Sequence, residues 1–186
     1  YIVDTHNCIP LWIASEKREV GAYTLRPKLH KLLSNHLIEP EVIVPHPYPW
    51  VGESIPRLQE LDDHIQQLLA PIPKNGTTSK LQAGEKAAHA ALEAFIADRL
   101  PTYVTQRNNP AQAGQSDLSA YLHFGQLSAL RVVLRMQELL HQHNSELHII
   151  QSPKIPQPND TEATLLQSIH AFVEELVVRK ELADNY

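Results

Sequence analysis

From Gly84 onward the chain repeats one pattern: apolar residues return every three or four positions, in runs closed by proline or glycine. Ala87, Ala88, Ala91, Leu92, Phe95 and Ile96 form the first such face, a spacing that lines one side of an α-helix. Pro101 stops this helix soon after Leu100. Ser116 is expected to cap a short helix reaching Phe124 and closed by Gly125. Ser128 is expected to cap the next, with Leu130, Val133, Leu134 and Leu140 on its core side. Residues 141–161 read as a polar loop, and a last helix runs from about Glu162 to the end. A chain patterned this way is mainly α.

The first half is less regular. Tyr1 to Asp4 reads as a short buried strand, followed by an irregular stretch that Pro10 keeps out of helix. Residues 15–37 read as helix in two pieces broken near Pro27, with Leu29, Leu32 and Leu33 on the buried side. Five prolines between Pro40 and Pro56 exclude a central strand or a helix, so this is a surface connection, with a short strand at Val42–Val44. A helix over 54–69 and a linker over 71–79, turning at Asn75-Gly76, complete it.

Composition narrows the class. Hydrophobic residues make up 42% and charged residues 20% of the 186, as expected of a chain that folds around a core. No apolar run approaches the roughly 18 residues of a membrane helix, and no basic-then-apolar leader opens the chain. Cys8 is the only cysteine, which excludes an internal disulfide and fits an intracellular setting. The eleven histidines show no ligand spacing, so no metal is expected. A net charge of −5 means that any nucleic-acid contact has to come from a local basic face. Tyr1 opens inside an apolar segment and Glu181–Tyr186 lie in a helical pattern with no stop, so the chain is expected to be an internal piece of a longer protein.

Two stretches carry chemistry. In residues 103–119 a loop rich in Asn, Gln and Gly leads into Gln115-Ser116-Asp117-Leu118-Ser119. Free N–H groups and hydroxyls at a helix start suit an anion such as phosphate, although plain capping is the commoner role of such a serine. In the last helix Phe172, Glu175, Leu176 and Arg179 stand at i, i+3, i+4 and i+7, so α-helical spacing places them on one face. A surface Glu–Arg pair is the commoner explanation of that spacing.

The same residues carry a resemblance. Phe172-Val-Glu-Glu-Leu-Val-Val-Arg-Lys-Glu-Leu-Ala-Asp-Asn-Tyr186 is similar to the flavin-domain motif of class II cyclobutane-pyrimidine-dimer photolyases, departing at Lys180 (usually Arg) and Tyr186 (usually Phe). Ser116-Asp-Leu-Ser-Ala-Tyr-Leu-His-Phe-Gly-Gln-Leu-Ser128 resembles a second motif of that family, with Ala120 in place of its Pro. Arg107-Asn-Asn-Pro110, Val3-Asp-Thr-His-Asn7 and Gly84-Glu85 look like class II segments too.

The resemblance implies a fold: the first half of the helical FAD-binding domain over 81–186, a linker over 46–80, and the end of an N-terminal α/β (Rossmann-like) domain over 1–45. It implies that Tyr103, Gln115, Ser116, Leu118 and Ser119 hold the diphosphate and ribityl part of FAD, with Arg179 on the flavin side. Gln115 stands where relatives often carry Thr. Phe172 lines the pocket for the damaged bases, and Glu175 is the acid that hydrogen-bonds the dimer. Gln126 and His123 lie near this site, Asp4 and His6 bridge the two domains, and Trp12 and Trp50 are packing residues.

The implied activity is light-driven repair of pyrimidine dimers by electron transfer from reduced FAD. The implied partner is ultraviolet-damaged DNA, bound by a monomer in the cytoplasm or nucleoid. The fragment alone would be inactive, and an antenna chromophore belongs to the family's repertoire without being legible here. Rival readings are a cryptochrome-like flavin photoreceptor and a non-catalytic helical binding module.

Overall fold

The computed structural model describes residues 4–41, 44–45, 47–48, 51–52, 58–69, 81–147 and 161–185. The expected strands at 1–4 and 42–44 and the Asn75-Gly76 turn fall wholly or mostly outside these. Among the described residues there is no strand. The helices are α1 (Leu11–Ala14), α2 (Ala22–His36), α3 (Leu58–Leu69), α4 (Glu85–Asp98), α5 (Tyr103–Gln106), α6 (Ser119–His123), α7 (Ala129–Gln142), α8 (Thr161–Val173) and α9 (Lys180–Asn185). A 3₁₀ turn at Leu100–Thr102 precedes α5, and a π-helical segment at Glu174–Arg179 joins α8 to α9. Residues 1–39 and 82–186 form one compact unit, and 40–81, which contains α3, form a second.

The core of the first unit is the run Ile169–Val178. Ile169, Ala171, Phe172, Val173, Leu176, Val177 and Val178 are all buried, because a helix apolar on nearly every side is stable only when neighbours surround it. The 3₁₀ turn, α5 and α7 pack on α8, and α2 packs on the π segment. α4 presents Ala88, Leu92 and Phe95 to this core, with Ala87, Ala91 and Ile96 partly buried beside them. That is the face its spacing predicts. α7 is capped by Ser128, whose Oγ accepts from the Arg131 N–H. It buries Val132, Val133, Met136 and Leu140, while Leu130 is only partly buried. Its core face is therefore turned slightly from the expected one.

Three local expectations need correction. α2 is one helix that runs through Pro27. Proline there removes one hydrogen bond, to the carbonyl of Tyr23, whose residue is exposed. α6 starts at Ser119 with no side-chain cap. Ser116 Oγ accepts only a 3.4 Å contact from the Leu118 N–H and so belongs to the turn before the helix. α1 begins directly after Pro10, and Trp12 on it is 51% exposed rather than packed.

Polar contacts fasten the N-terminal residues to the end of the chain. The Arg26 guanidinium of α2 meets the buried Glu174 carboxylate in a two-pronged ion pair, Nε to Oε2 at 3.1 Å and Nη2 to Oε1 at 2.5 Å. Glu181 Oε1 accepts the Cys8 N–H at 2.8 Å, and Asn185 Oδ1 accepts the Glu19 N–H at 2.6 Å. Asp4 accepts the N–H groups of His6, Asn7 and Leu11, which ties the chain into α1. Burial pushes the Cys8 thiol up to about 12, helped by the negative charge of Glu181, so it is an inert core group.

Burial, followed by the repulsion of Asp4, raises Glu181 from 4.5 to about 7 against its Cys8 and Ile9 N–H contacts and the attraction of Lys180. Its Oε2 is buried without a hydrogen-bond partner. A carboxyl raised on folding contributes stability that is complete below its ordinary pKa and is lost as pH climbs through the folded value. Stability measured by urea unfolding should therefore fall between about pH 5 and 8, and Glu181→Gln should flatten that slope. Arg26→Met should lower stability by about 3 kcal/mol, because it leaves the buried Glu174 without its two-pronged partner, with only Arg179 nearby at 3.8 Å. Adding Glu174→Leu should restore most of that loss in the same measurement.

Candidate functional site

A cavity of about 750 Å³ opens between the segment 103–123 and the end of α8 with its π continuation. Its wall is aromatic. Phe95, Tyr103 and Phe172 form a cluster with centroid separations of 5.6, 4.8 and 5.6 Å, and Tyr103 and Phe172 reach the cavity surface. Desolvation raises the Tyr103 phenol above its usual range, partly offset by Arg107. Ser168, buried on α8, accepts the Val104 N–H at 3.0 Å, which satisfies a free donor at the start of α5 and fixes that helix against the core.

The loop from Arg107 to Leu118 supplies polar groups. It is folded on itself: the Asn109 N–H donates to the Gln106 carbonyl, the Ala111 N–H to Asn109 Oδ1, and Gln115 Nε2 to the Arg107 carbonyl. Gly114 packs so close to Gln106 that a Cβ would lie 2.7 Å from its backbone carbonyl. Asp117 takes a left-handed conformation, φ 59°, held by Arg99, whose Nη1 donates to Asp117 Oδ2 and Nη2 to the Ser116 carbonyl. These contacts bring Gln115, Ser116 and Ser119 to one side of the cavity.

On the other side stand Phe172, Glu175, Leu176 and Lys180. α-Helical spacing predicts Arg179 on this face, paired with Glu175. The π segment changes the register, because its hydrogen bonds run i→i+5 and bring residues five apart together. Arg179 Nε therefore lies 3.8 Å from Glu174 Oε1, and Lys180 accompanies Glu175 at the cavity. Glu175 Oε1 is bound by Arg107 Nη1 at 2.8 Å. Arg107 also lies 5.7 Å above the Tyr103 ring, and its Nε is buried without a hydrogen-bond partner. Lys180 donates to the His6 carbonyl and to Asn7 Oδ1, each at 2.8 Å.

Of the residues singled out in the sequence, Tyr103, Gln115, Ser116, Ser119, Phe172 and Glu175 line this one cavity. Leu118 is fully buried in the core and Arg179 is not among the lining residues. Arg107, Asn108, His6 and Lys180 line it without having been assigned to it. Arg107 and His6 lie inside stretches whose wording stood out, but pairings across 68 or 174 residues have no local signature. Among the described residues no group of three His, Cys, Asp or Glu is placed to hold a metal, and no helix is long and apolar enough to cross a membrane.

No family model matches the chain. Individual proteins do. A deoxyribodipyrimidine photo-lyase of Potorous tridactylus is 34% identical over 196 residues, which cover 99% of this chain and 30% of that protein. The protein of that name from Arabidopsis thaliana is 34% identical over 189 residues, covering 99% of the chain and 34% of the relative. The one from Oryza sativa subsp. japonica is 36% identical over 190 residues, with 99% and 33% covered. Over nearly its whole length the chain is similar to proteins named deoxyribodipyrimidine photo-lyase. It spans about a third of the length of these relatives, and its mainly helical fold agrees with a helical photolyase domain.

The close approach at Gly114 gives a direct test of how the loop is held. Gly114→Ala should destabilise the protein by about 1–3 kcal/mol, since a backbone neighbour has to move, read as a lowered midpoint of thermal or urea unfolding.

Proposed function

We propose that this chain is a piece of a class II DNA photolyase, the FAD-dependent enzyme that uses light to split cyclobutane pyrimidine dimers. The observation that carries the reading is the single cavity shared by the Gln115–Ser119 turn and the Phe172–Glu175 face, in a chain matched over 99% of its length by photo-lyases. In this reading residues 81–186 are the first half of the flavin domain, 46–80 a linker, and 1–45 the end of an α/β domain. The working enzyme is an intracellular monomer acting on ultraviolet-damaged DNA.

FAD suits the residues present. The cavity joins neutral donors from Gln115, Ser116 and Ser119, an aromatic wall from Tyr103 and Phe172, and an arginine with an unused Nε. Such a mixture of apolar wall and few polar groups is how cofactor sites are built. The hydroxyls and amide would hold the phosphate and ribityl oxygens, with Leu118 backing the turn from the core. When bound, reduced FAD supplies the light-driven electron. The protein supplies the geometry.

Phe172 offers an apolar surface to the damaged bases once they leave the DNA stack. Glu175 is half-exposed at the cavity and oriented by Arg107 through one oxygen, which leaves the other for a hydrogen bond to the dimer.

The test is made on the full-length protein. It should purify with bound FAD and remove thymine dimers from irradiated DNA under blue light. Glu175→Ala should lower repair per absorbed photon by about tenfold, the weight of one charge-assisted hydrogen bond, with flavin content unchanged. Equal repair by the variant would remove Glu175 from its role, and a flavin-free wild-type protein would remove the reading.

A further inference from the structure

Lys180 occupies the place that regular α-helical spacing reserves for Arg179. Its side chain is 17% exposed, against 56% for Arg179, and it lines the cavity while Arg179 turns toward Glu174. Two of the three ammonium hydrogens are committed, to the His6 carbonyl and to Asn7 Oδ1. An ammonium carries three donors, so one remains for a ligand. The Asp184 carboxylate stands 3.8 Å from it and lies 3.6 Å from the His6 ring as well.

The charge around the cavity favours an anion. Its lining holds two permanent cations, Arg107 and Lys180, and one carboxylate, Glu175. Arg107 is engaged with Glu175 at 2.8 Å, whereas Asp184 stands 3.8 Å from Lys180, is shared with the His6 ring and lies outside the cavity lining. Ser116 and Ser119 line the opposite side of the same cavity with hydroxyl groups, and an ammonium on one side with hydroxyl donors on the other suits a phosphate group between them. The two oxygens from residues 6 and 7 fix the ammonium in place, so little side-chain entropy is lost when a ligand arrives.

We propose that Lys180, and not Arg179, is the basic residue with which the last helical run holds a phosphate group in this cavity. The phosphate belongs either to the FAD diphosphate or to the DNA backbone at the lesion. The inference rests on the flavoenzyme reading above and assigns a ligand contact within it.

The experiment compares wild type, Lys180→Gln, Lys180→Arg and Arg179→Gln as full-length proteins. FAD binding to flavin-stripped protein is titrated by fluorescence, and binding of a dimer-containing oligonucleotide is titrated at several salt concentrations. Lys180→Gln should weaken one of the two by about tenfold, the scale of a lost charge-assisted hydrogen bond. Lys180→Arg and Arg179→Gln should stay within about twofold of wild type, a difference below 0.5 kcal/mol. Loss confined to FAD assigns the diphosphate as the source. Loss confined to DNA, with the slope of log K against log salt reduced by about one, assigns the backbone phosphate.

Should Lys180→Gln fail to fold, Asn7→Ala keeps the charge but removes one of its two anchors. It should weaken the same ligand by about two- to threefold, the weight of one neutral hydrogen bond, with the salt slope intact. Unchanged binding in Lys180→Gln, or equal losses in Lys180→Gln and Arg179→Gln, overturns this inference alone. A wild-type protein that binds neither FAD nor DNA overturns the functional reading and the inference with it.

Discussion

The fold turns on what happens to two neighbouring carboxylates. Glu174 points inward, 5% exposed, and is met by Arg26 from α2. Glu175, the next residue, emerges at the cavity and is met by Arg107. A buried carboxylate is tolerated only with a well-placed partner, so α2 cannot move away from the last helical run without stranding a charge. The π segment is the local geometry that accommodates both demands. Widened turns of this kind are often found where a helix carries function.

That arrangement explains which parts of the structure were legible in the sequence. The helices from Gly84 onward could be read because their apolar faces follow a regular period, and burial obeys the period in α4 and, with a slight turn, in α7. The candidate residues on Ser116–Ser119 and Phe172–Glu175 could be recognised from motif wording, and the structure brings them to one cavity. The register of the last run could not be read. Spacing arguments assume 3.6 residues per turn, and nothing in the residue types Glu174 to Arg179 announces that the assumption fails there. Pro27 misled for a related reason, since the missing hydrogen bond falls on the solvent side of α2, where it is cheap.

The polar side of the site was hidden for a different reason. Arg107 and Lys180 gain their positions from groups far away in the chain, a carboxylate on the π segment and the backbone of residue 6. Their chemistry is therefore tertiary. The aromatic wall behaves in the same way. Phe95, Tyr103 and Phe172 come from three separate helices, and each alone looks like an ordinary core residue.

At the edge of the cavity Lys180 is held by His6 and Asn7, contacts between positions 174 and 173 residues apart. Closing so long a loop is slow relative to forming local helices. During synthesis the opening residues must wait until α9 has left the ribosome before this edge exists. This edge of the cavity thus matures after the helices that carry it, and a ligand that needs the finished edge selects folded molecules over those still assembling.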